Sequence, residues 1–192
     1  MNYHFFAYMS RMKYIKRWGL MRNGREENIQ EHSLQTAMIA HCLALIHNRV
    51  LGLEEVDAEH IMAIAMYHET SEVLTGDLAT PIKYFNPKIK DAYKEIEHIA
   101  NEKLLQMIPD ELRPEYEKLI SRYSPEEYVL VKAADKICAW LKCLEEIKSG
   151  NAEFREAGSS IEREIHQMQL PEVEYFLENF GKSFELSLDE LE

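Results

Sequence analysis

Ser124-Pro125-Glu126-Glu127-Tyr128-Val129-Leu130-Val131-Lys132-Ala133-Ala134-Asp135-Lys136, running on to Ser149-Gly150, is the stretch that decides the fold. Serine at the N-cap, proline at the first helical position and glutamate at the third make a capping box, a strong helix start. Gly150 stands where a C-terminal stop belongs. The helix between these signals carries Asp135 near its middle, beside Ala133 and Ala134. Small residues at that point let a second helix come close.

Working outward, the helical period persists nearly everywhere. Apolar residues Leu34, Ala37, Met38, Cys42, Leu45 and Ile46 follow the i, i+3, i+4 pattern and predict a helix over 31–51. Asp57 is a predicted N-cap for a helix running past His68 to about residue 73. Further helices are predicted over 86–108, 151–168 and 171–180, with Pro109 and Pro114 punctuating the connection after the first of these. No segment of alternating β-branched residues competes. The expected fold is all-α, a compact helical bundle in which residues 1–192 form a single domain, since 192 residues at 46% hydrophobic suffice for one core.

The net charge of −12 argues against a nucleic-acid polymer as partner. Residues 1–53 run against that balance, with seven Lys/Arg to three Asp/Glu, and a local basic patch in an acidic protein suits a small anion. Cys42, Cys138 and Cys143 lie in apolar helical patterns without metal spacing, which fits a reducing compartment. No apolar run approaches a bilayer span, so a cytoplasmic protein without membrane association is expected.

Chemistry concentrates at His68-Glu69, which closes the apolar run Ile61-Met62-Ala63-Ile64-Ala65-Met66-Tyr67. Buried imidazole and carboxylate groups must be paired or metal-bound. Glu72, four residues on from His68 in one helix, is expected on the same face, with Glu69 about 100° round. Together with His32 and Asp135 from other helices, His68 and Glu69 make a set of two imidazoles and two carboxylates suited to a divalent transition metal. His-Glu-Thr-Ser-Glu lacks the second histidine of a zinc-protease helix. Plainer readings stand beside this one: His32 as a surface histidine, His68 as a satisfied core histidine, Asp135 paired with Lys132 or Lys136. Met62, Met66 and Tyr67 read as core.

Several longer stretches carry a resemblance. They are Arg17-Trp18 with Leu20-Met21-Arg22-Asn23, Glu31-His32-Ser33-Leu34-Gln35, and Ala65-Met66-Tyr67-His68-Glu69 with Ser71-Glu72-Val73-Leu74-Thr75-Gly76-Asp77-Leu78. Thr80-Pro81-Ile82-Lys83-Tyr84-Phe85-Asn86, Lys132-Ala133-Ala134-Asp135, Leu141-Lys142-Cys143-Leu144-Glu145-Glu146 and Ser183-Phe184-Glu185-Leu186-Ser187-Leu188-Asp189-Glu190 complete the set. With these the chain resembles the HD-domain superfamily of metal-dependent phosphohydrolases, most closely its bacterial 5′-deoxynucleotidase family.

The resemblance implies a homodimeric enzyme that hydrolyses deoxyribonucleoside 5′-monophosphates to deoxynucleoside and phosphate and spares ribonucleotides. It implies His32, His68, Glu69 and Asp135 as ligands of one divalent transition metal, cobalt foremost, with Mn, Zn, Fe, Ni or Cu as alternatives. His32, Glu69 and Asp135 would also face the substrate. Glu72 would handle the proton of the attacking water or the leaving 5′-oxygen. Arg17 would orient the phosphate with a planar fork that lysine does not reproduce. Trp18 would bar a 2′-hydroxyl, Asp77 would accept from the 3′-hydroxyl, and Leu78, Ala79 and Thr80 would complete the pocket edge.

Two departures stand out. The family carries His-Asp where this chain has His68-Glu69, so the carboxylate arm is one methylene longer. Gly19 and Ala79 stand where relatives often have proline. Two other functions therefore stay open: a different nucleotide phosphohydrolase of the superfamily, or a nucleotide-binding module silenced by Glu69.

Overall fold

A computed structural model describes residues 3–83 and 85–191; Tyr84, part of one resembling stretch, lies outside the described residues. Ten helices appear among them: α1 Phe5–Met9, α2 Ile29–Leu45, α3 Ala58–Tyr67, α4 Glu72–Thr75, α5 Thr80–Lys83, α6 Pro87–Leu105, α7 Arg113–Ile120, α8 Pro125–Lys148, α9 Arg155–Gln167 and α10 Pro171–Phe180. The only extended pairing among the described residues is a single bridge between Lys16 and Asn28. The all-α expectation is met.

The α8 signals act as the sequence predicts. Ser124 Oγ accepts from the Glu127 N–H and the Glu127 carboxylate accepts from the Ser124 N–H, both at 3.1 Å. Glu127 also meets His60 Nδ1 at 2.7 Å, so one cap residue joins the start of α3 to the start of α8. Gly150 has φ +90°, the left-handed region that ends a helix at glycine.

Helices α2, α3 and α8 build the main core with α9 and α10, around Leu43, Ile61, Ile64, Ile137 and Cys138, all fully buried. Alanines line their contacts: Ala37 and Ala40 on α2, Ala65 on α3, Ala133 and Ala134 on α8. Side chains this small let three helix backbones converge beside His32 and Asp135. A second apolar cluster joins Phe5 of α1 to Leu104, Leu105, Ile108 and Ile120.

Four expectations need correction. Helix α2 starts at Ile29, where Asn28 accepts from the N–H groups of Gln30 and Glu31, and it opens into a wider π turn over Ile46–Val50. The face read as its core stripe is partly outward: Leu34, Met38 and Leu45 are exposed, while Ser33, Thr36, Ala40 and Leu43 are buried. The helix predicted over 57–73 stops at Tyr67, and Met66 at that end is exposed rather than core. Helix α7, not foreseen, begins at Arg113 with Pro114 in its first turn, where proline lacks no needed hydrogen bond.

Candidate active site

The break after Tyr67 shapes the site. The Thr70 hydroxyl and Thr70 N–H both donate to the Tyr67 carbonyl, and the Glu72 N–H donates to the Glu69 carbonyl at 3.1 Å. These i to i+3 bonds tighten the chain to about three residues per turn, which stacks residues three apart. His68 and Glu72 therefore lie on either side of a break, not on one helical face. Glu72 faces Glu69 and Asp77 instead.

Around that turn His32, His68, Glu69 and Asp135 come together, each offering one ligand atom, all within 4.8 Å of one another. His32 Nε2 stands 3.0 Å from Asp135 Oδ1 and 3.7 Å from Glu69 Oε1, and His68 Nε2 stands 3.2 Å from the same Glu69 oxygen. His32 is fully buried, which removes the surface reading. Lys136 pairs with Glu164 and Lys132 lies over the Tyr128 ring, so neither takes Asp135, which faces His32 and, at 4.0 Å, Arg17. The Glu69 side chain folds back against His68, and its longer arm is held there by Arg17 Nη1 at 3.1 Å.

The donor chemistry fits a dication. His68 Nδ1 donates to the Ala65 carbonyl at 2.6 Å; a carbonyl only accepts, so that nitrogen carries the hydrogen and Nε2 is the one turned to the cluster. His68 Nε2 is buried without a hydrogen-bond partner, although a carboxylate oxygen stands nearby. Burial and the Arg17 charge lower the pKa of His32, keeping it neutral and able to offer a lone pair. Burial opposes ionisation of Asp135, but His32, His68 and Arg17 outweigh it and hold the carboxyl at about 2. Glu69 is likewise held well below the usual carboxylate range, against its burial, chiefly by His68 and Arg17. His68 itself is raised, its own burial overcome by Glu69 and Asp135.

Glu72 is the contrast. Buried, and facing the charges of Glu69 and Asp77, it is pushed up to about 11 and keeps its proton at neutral pH. Burial also raises Asp77, against the pull of the Arg17 charge. Asp77 follows Gly76, whose φ of +73° ends α4. Leu78 and Ala79 continue that loop half-buried and Thr80 is exposed where α5 opens; among the described residues no hydrogen bond or ion pair joins their side chains to the cluster.

Arg17 and Trp18 reach the site from a non-helical strap over residues 15–28. The Lys16–Asn28 bridge and the Arg17 N–H to the Glu27 carbonyl, 3.0 Å, pin its ends together. Arg17 is mostly buried, and the carboxylates of Glu69, Asp135 and Glu27 outweigh that burial and keep it charged. Of the basic N-terminal patch, Arg17 is the member paired into the cluster; Lys16 pairs with Glu26 and Arg25 with Glu145. Sequence reasoning missed Glu27, though it was legible as one of the first two acids after a run of 25 residues with none. It also gave no role to Lys142 and Glu146. Glu146 accepts from the N–H groups of Gly24 at 2.7 Å and Arg25 at 3.1 Å, from Asn151 at 2.8 Å and from Lys142, fastening the strap to α8.

With this geometry in view, the comparisons with known proteins are specific. The family described as 5′-deoxynucleotidase YfbR-like matches residues 4–184. The chain belongs to that family. A 5′-deoxynucleotidase of Klebsiella pneumoniae is 55% identical over 98% of this chain and 95% of its own length. A 5′-deoxynucleotidase of Yersinia pestis is 53% identical over 98% of this chain and 96% of its own. Among solved structures, an HD-domain phosphohydrolase from Listeria innocua superposes with a TM-score of 0.83 at 25% identity, covering 96% of this chain and 90% of that one.

Proposed function

We propose that the protein is a metal-dependent 5′-deoxynucleotidase, a single-domain phosphohydrolase that converts deoxyribonucleoside 5′-monophosphates to deoxynucleoside and phosphate. The observation that carries this is the convergence of His32, His68, Glu69 and Asp135 within 4.8 Å, in a chain 55% identical to a 5′-deoxynucleotidase over nearly its full length.

A dication held by those four side chains would set positive charge against the phosphate oxygens and lower the pKa of a water. Cobalt is the metal we assign first, with Mn, Zn, Fe, Ni or Cu as alternatives. Arg17, the cation nearest the quartet, neutralises the carboxylates while the site is free and turns its fork to the phosphate when substrate enters. In the displacement, a water oxygen bonds to phosphorus and the bond from phosphorus to the 5′-oxygen breaks. The leaving oxygen takes the proton that Glu72 carries, and the proton released by the attacking water returns to Glu72. Trp18 and Asp77 are assigned to the sugar, with Leu78, Ala79 and Thr80 at the pocket edge.

The exposed stripe Leu34, Met38 and Leu45 along α2 supports the homodimer, because three large apolar side chains on one helix face suit a second copy of that face. No helix among the described residues is long and apolar enough to cross a membrane. The unpaired Cys42, Cys138 and Cys143 agree with a cytoplasmic, reducing setting.

The test is phosphate release from a deoxynucleoside 5′-monophosphate and its ribo counterpart, first with chelator, then with each metal added back. Release from the deoxy substrate alone, lost with chelator and restored by metal, is expected. Equal release from both sugars would point to another phosphohydrolase of the superfamily. Silence of the folded protein under every metal would mean that Glu69 has cost the activity.

A further inference from the structure

Behind the quartet, one carboxylate meets three members of the site from the protein side. Glu27 Oε2 accepts from Arg17 Nε at 3.2 Å and from Trp18 Nε1 at 2.9 Å. Its other oxygen stands 3.8 Å from His32 Nδ1, on the side of the ring opposite the cluster. The Glu27 side chain is largely buried, so water does not compete strongly for these contacts. Its backbone carbonyl holds Arg17 as well.

Each contact fixes a direction. A guanidinium bound through Nε is turned so that its two terminal nitrogens face away, and in Arg17 these lie towards Glu69 and Asp135. Trp18 has φ +60°, a conformation that a bulky residue keeps only when its surroundings over-determine it. The restraints are Met21 N–H and the Asn23 amide on its carbonyl, the Phe154 ring at 5.3 Å, and Glu27 on its indole nitrogen. His32 Nε2 meets Asp135 at 3.0 Å on the cluster side, so a dication taken there would leave the hydrogen on Nδ1, which is buried without a hydrogen-bond partner and has Glu27 as the carboxylate facing it.

We propose that Glu27 is the positioning residue of this site: one carboxylate sets the phosphate fork, the sugar-facing indole and the His32 ring in register with one another. The proposal rests on the deoxynucleotidase reading for Arg17 and Trp18, and its His32 arm stands independently of it.

Two variants separate the arms. Glu27→Ala removes all three contacts. Glu27→Gln can keep an oxygen towards Arg17 and Trp18 while presenting an amide NH₂ to His32, which opposes the required tautomer. For Glu27→Ala, kcat/KM on the deoxynucleotide should fall by roughly 10- to 100-fold and the preference over the ribonucleotide should shrink. For Glu27→Gln, sugar preference should persist while Co²⁺ or Mn²⁺ affinity, titrated calorimetrically without substrate, weakens by roughly 10-fold. Circular dichroism and thermal melts establish that each variant is folded; if Glu27→Ala does not fold, Glu27→Gln alone decides. A folded variant set with unchanged sugar preference and unchanged metal affinity overturns the proposal. If the unmodified protein releases no phosphate under any metal, the deoxynucleotidase reading fails, and metal affinity of Glu27→Gln still decides the role of Glu27: weaker supports it, equal overturns it.

Discussion

Two regions meet at this site and are held by different physics. His32 and Asp135 stand on α2 and α8, with His68 and Glu69 at the end of α3, and those helices are locked by apolar packing around Leu43, Ile61, Ile64 and Ile137. Arg17 and Trp18 stand on a strap with almost no regular structure, fixed by named polar contacts from Glu27, Glu146, Lys142 and Asn151. Packing spreads its effect over many atoms, so the helical half keeps its geometry when one polar group is lost. The strap has no such reserve. Gly24 illustrates this: a Cβ there would lie 2.9 Å from a Glu146 oxygen, so even one added carbon disturbs the anchor.

That contrast can be broken from either side. The largest effect is expected from His68→Ala, which removes one ligand atom of the quartet without touching the strap. Turnover and metal binding should both be lost while far-ultraviolet circular dichroism stays unchanged; retained metal binding would show that the quartet is not the metal centre.

Next is Glu146→Ala, which leaves the Lys142 ammonium buried without its carboxylate. A cost of about 3–5 kcal/mol in urea unfolding is expected, with a rise in KM as the strap loosens. The same carboxylate gives a pH signature. Burial opposes its ionisation, but Lys142, Asn151 and the N–H groups of Arg25 and Gly24 draw it down to about 2 from an ordinary value of 4.5. A depressed folded-state value means that this stabilisation is complete above the unfolded value and is lost as pH falls from about 4.5 towards 2. Glu146→Gln should flatten stability across that window. An unchanged profile would separate Glu146 from acid unfolding.

The smallest effect belongs to Lys136→Ala. Its partner Glu164 is half-exposed, so stability should change by about 0–1 kcal/mol and metal affinity not at all. A drop in metal affinity would revive Lys136 as the partner of Asp135.

The same division explains what was legible in the sequence. Helix α8 could be read to its ends because its signals are local: a Ser–Glu capping box and a glycine stop. The four candidate ligands were picked out by residue type and resemblance, because imidazole and carboxylate within apolar helices are costly unless partnered. The stop after Tyr67 was not legible, since it depends on one threonine hydroxyl competing for a helical carbonyl. Helix α7 was hidden because Pro114 read as punctuation when it lies in a first turn. The outward stripe on α2 misled because periodicity locates an apolar face without saying what covers it. Glu27 stood out only as an early acid, because no spacing rule pairs it with Arg17 and Trp18 across the strap; Glu146 was hidden because, Lys142 apart, its partners are Asn151 and the N–H groups of Gly24 and Arg25.

The most direct test of the division is metal affinity in Arg17→Ala, measured by titration calorimetry with Co²⁺ or Mn²⁺ in the absence of nucleotide. Arg17 belongs to the strap and binds Glu69 in the free site. If the helices alone hold the metal and the strap reads the substrate, removing Arg17 frees a ligand: affinity should be unchanged or tighter while kcat/KM falls. A variant that stays folded yet loses metal affinity by 10-fold or more, on the order of 1.4 kcal/mol, would contradict this and make the strap part of the metal centre.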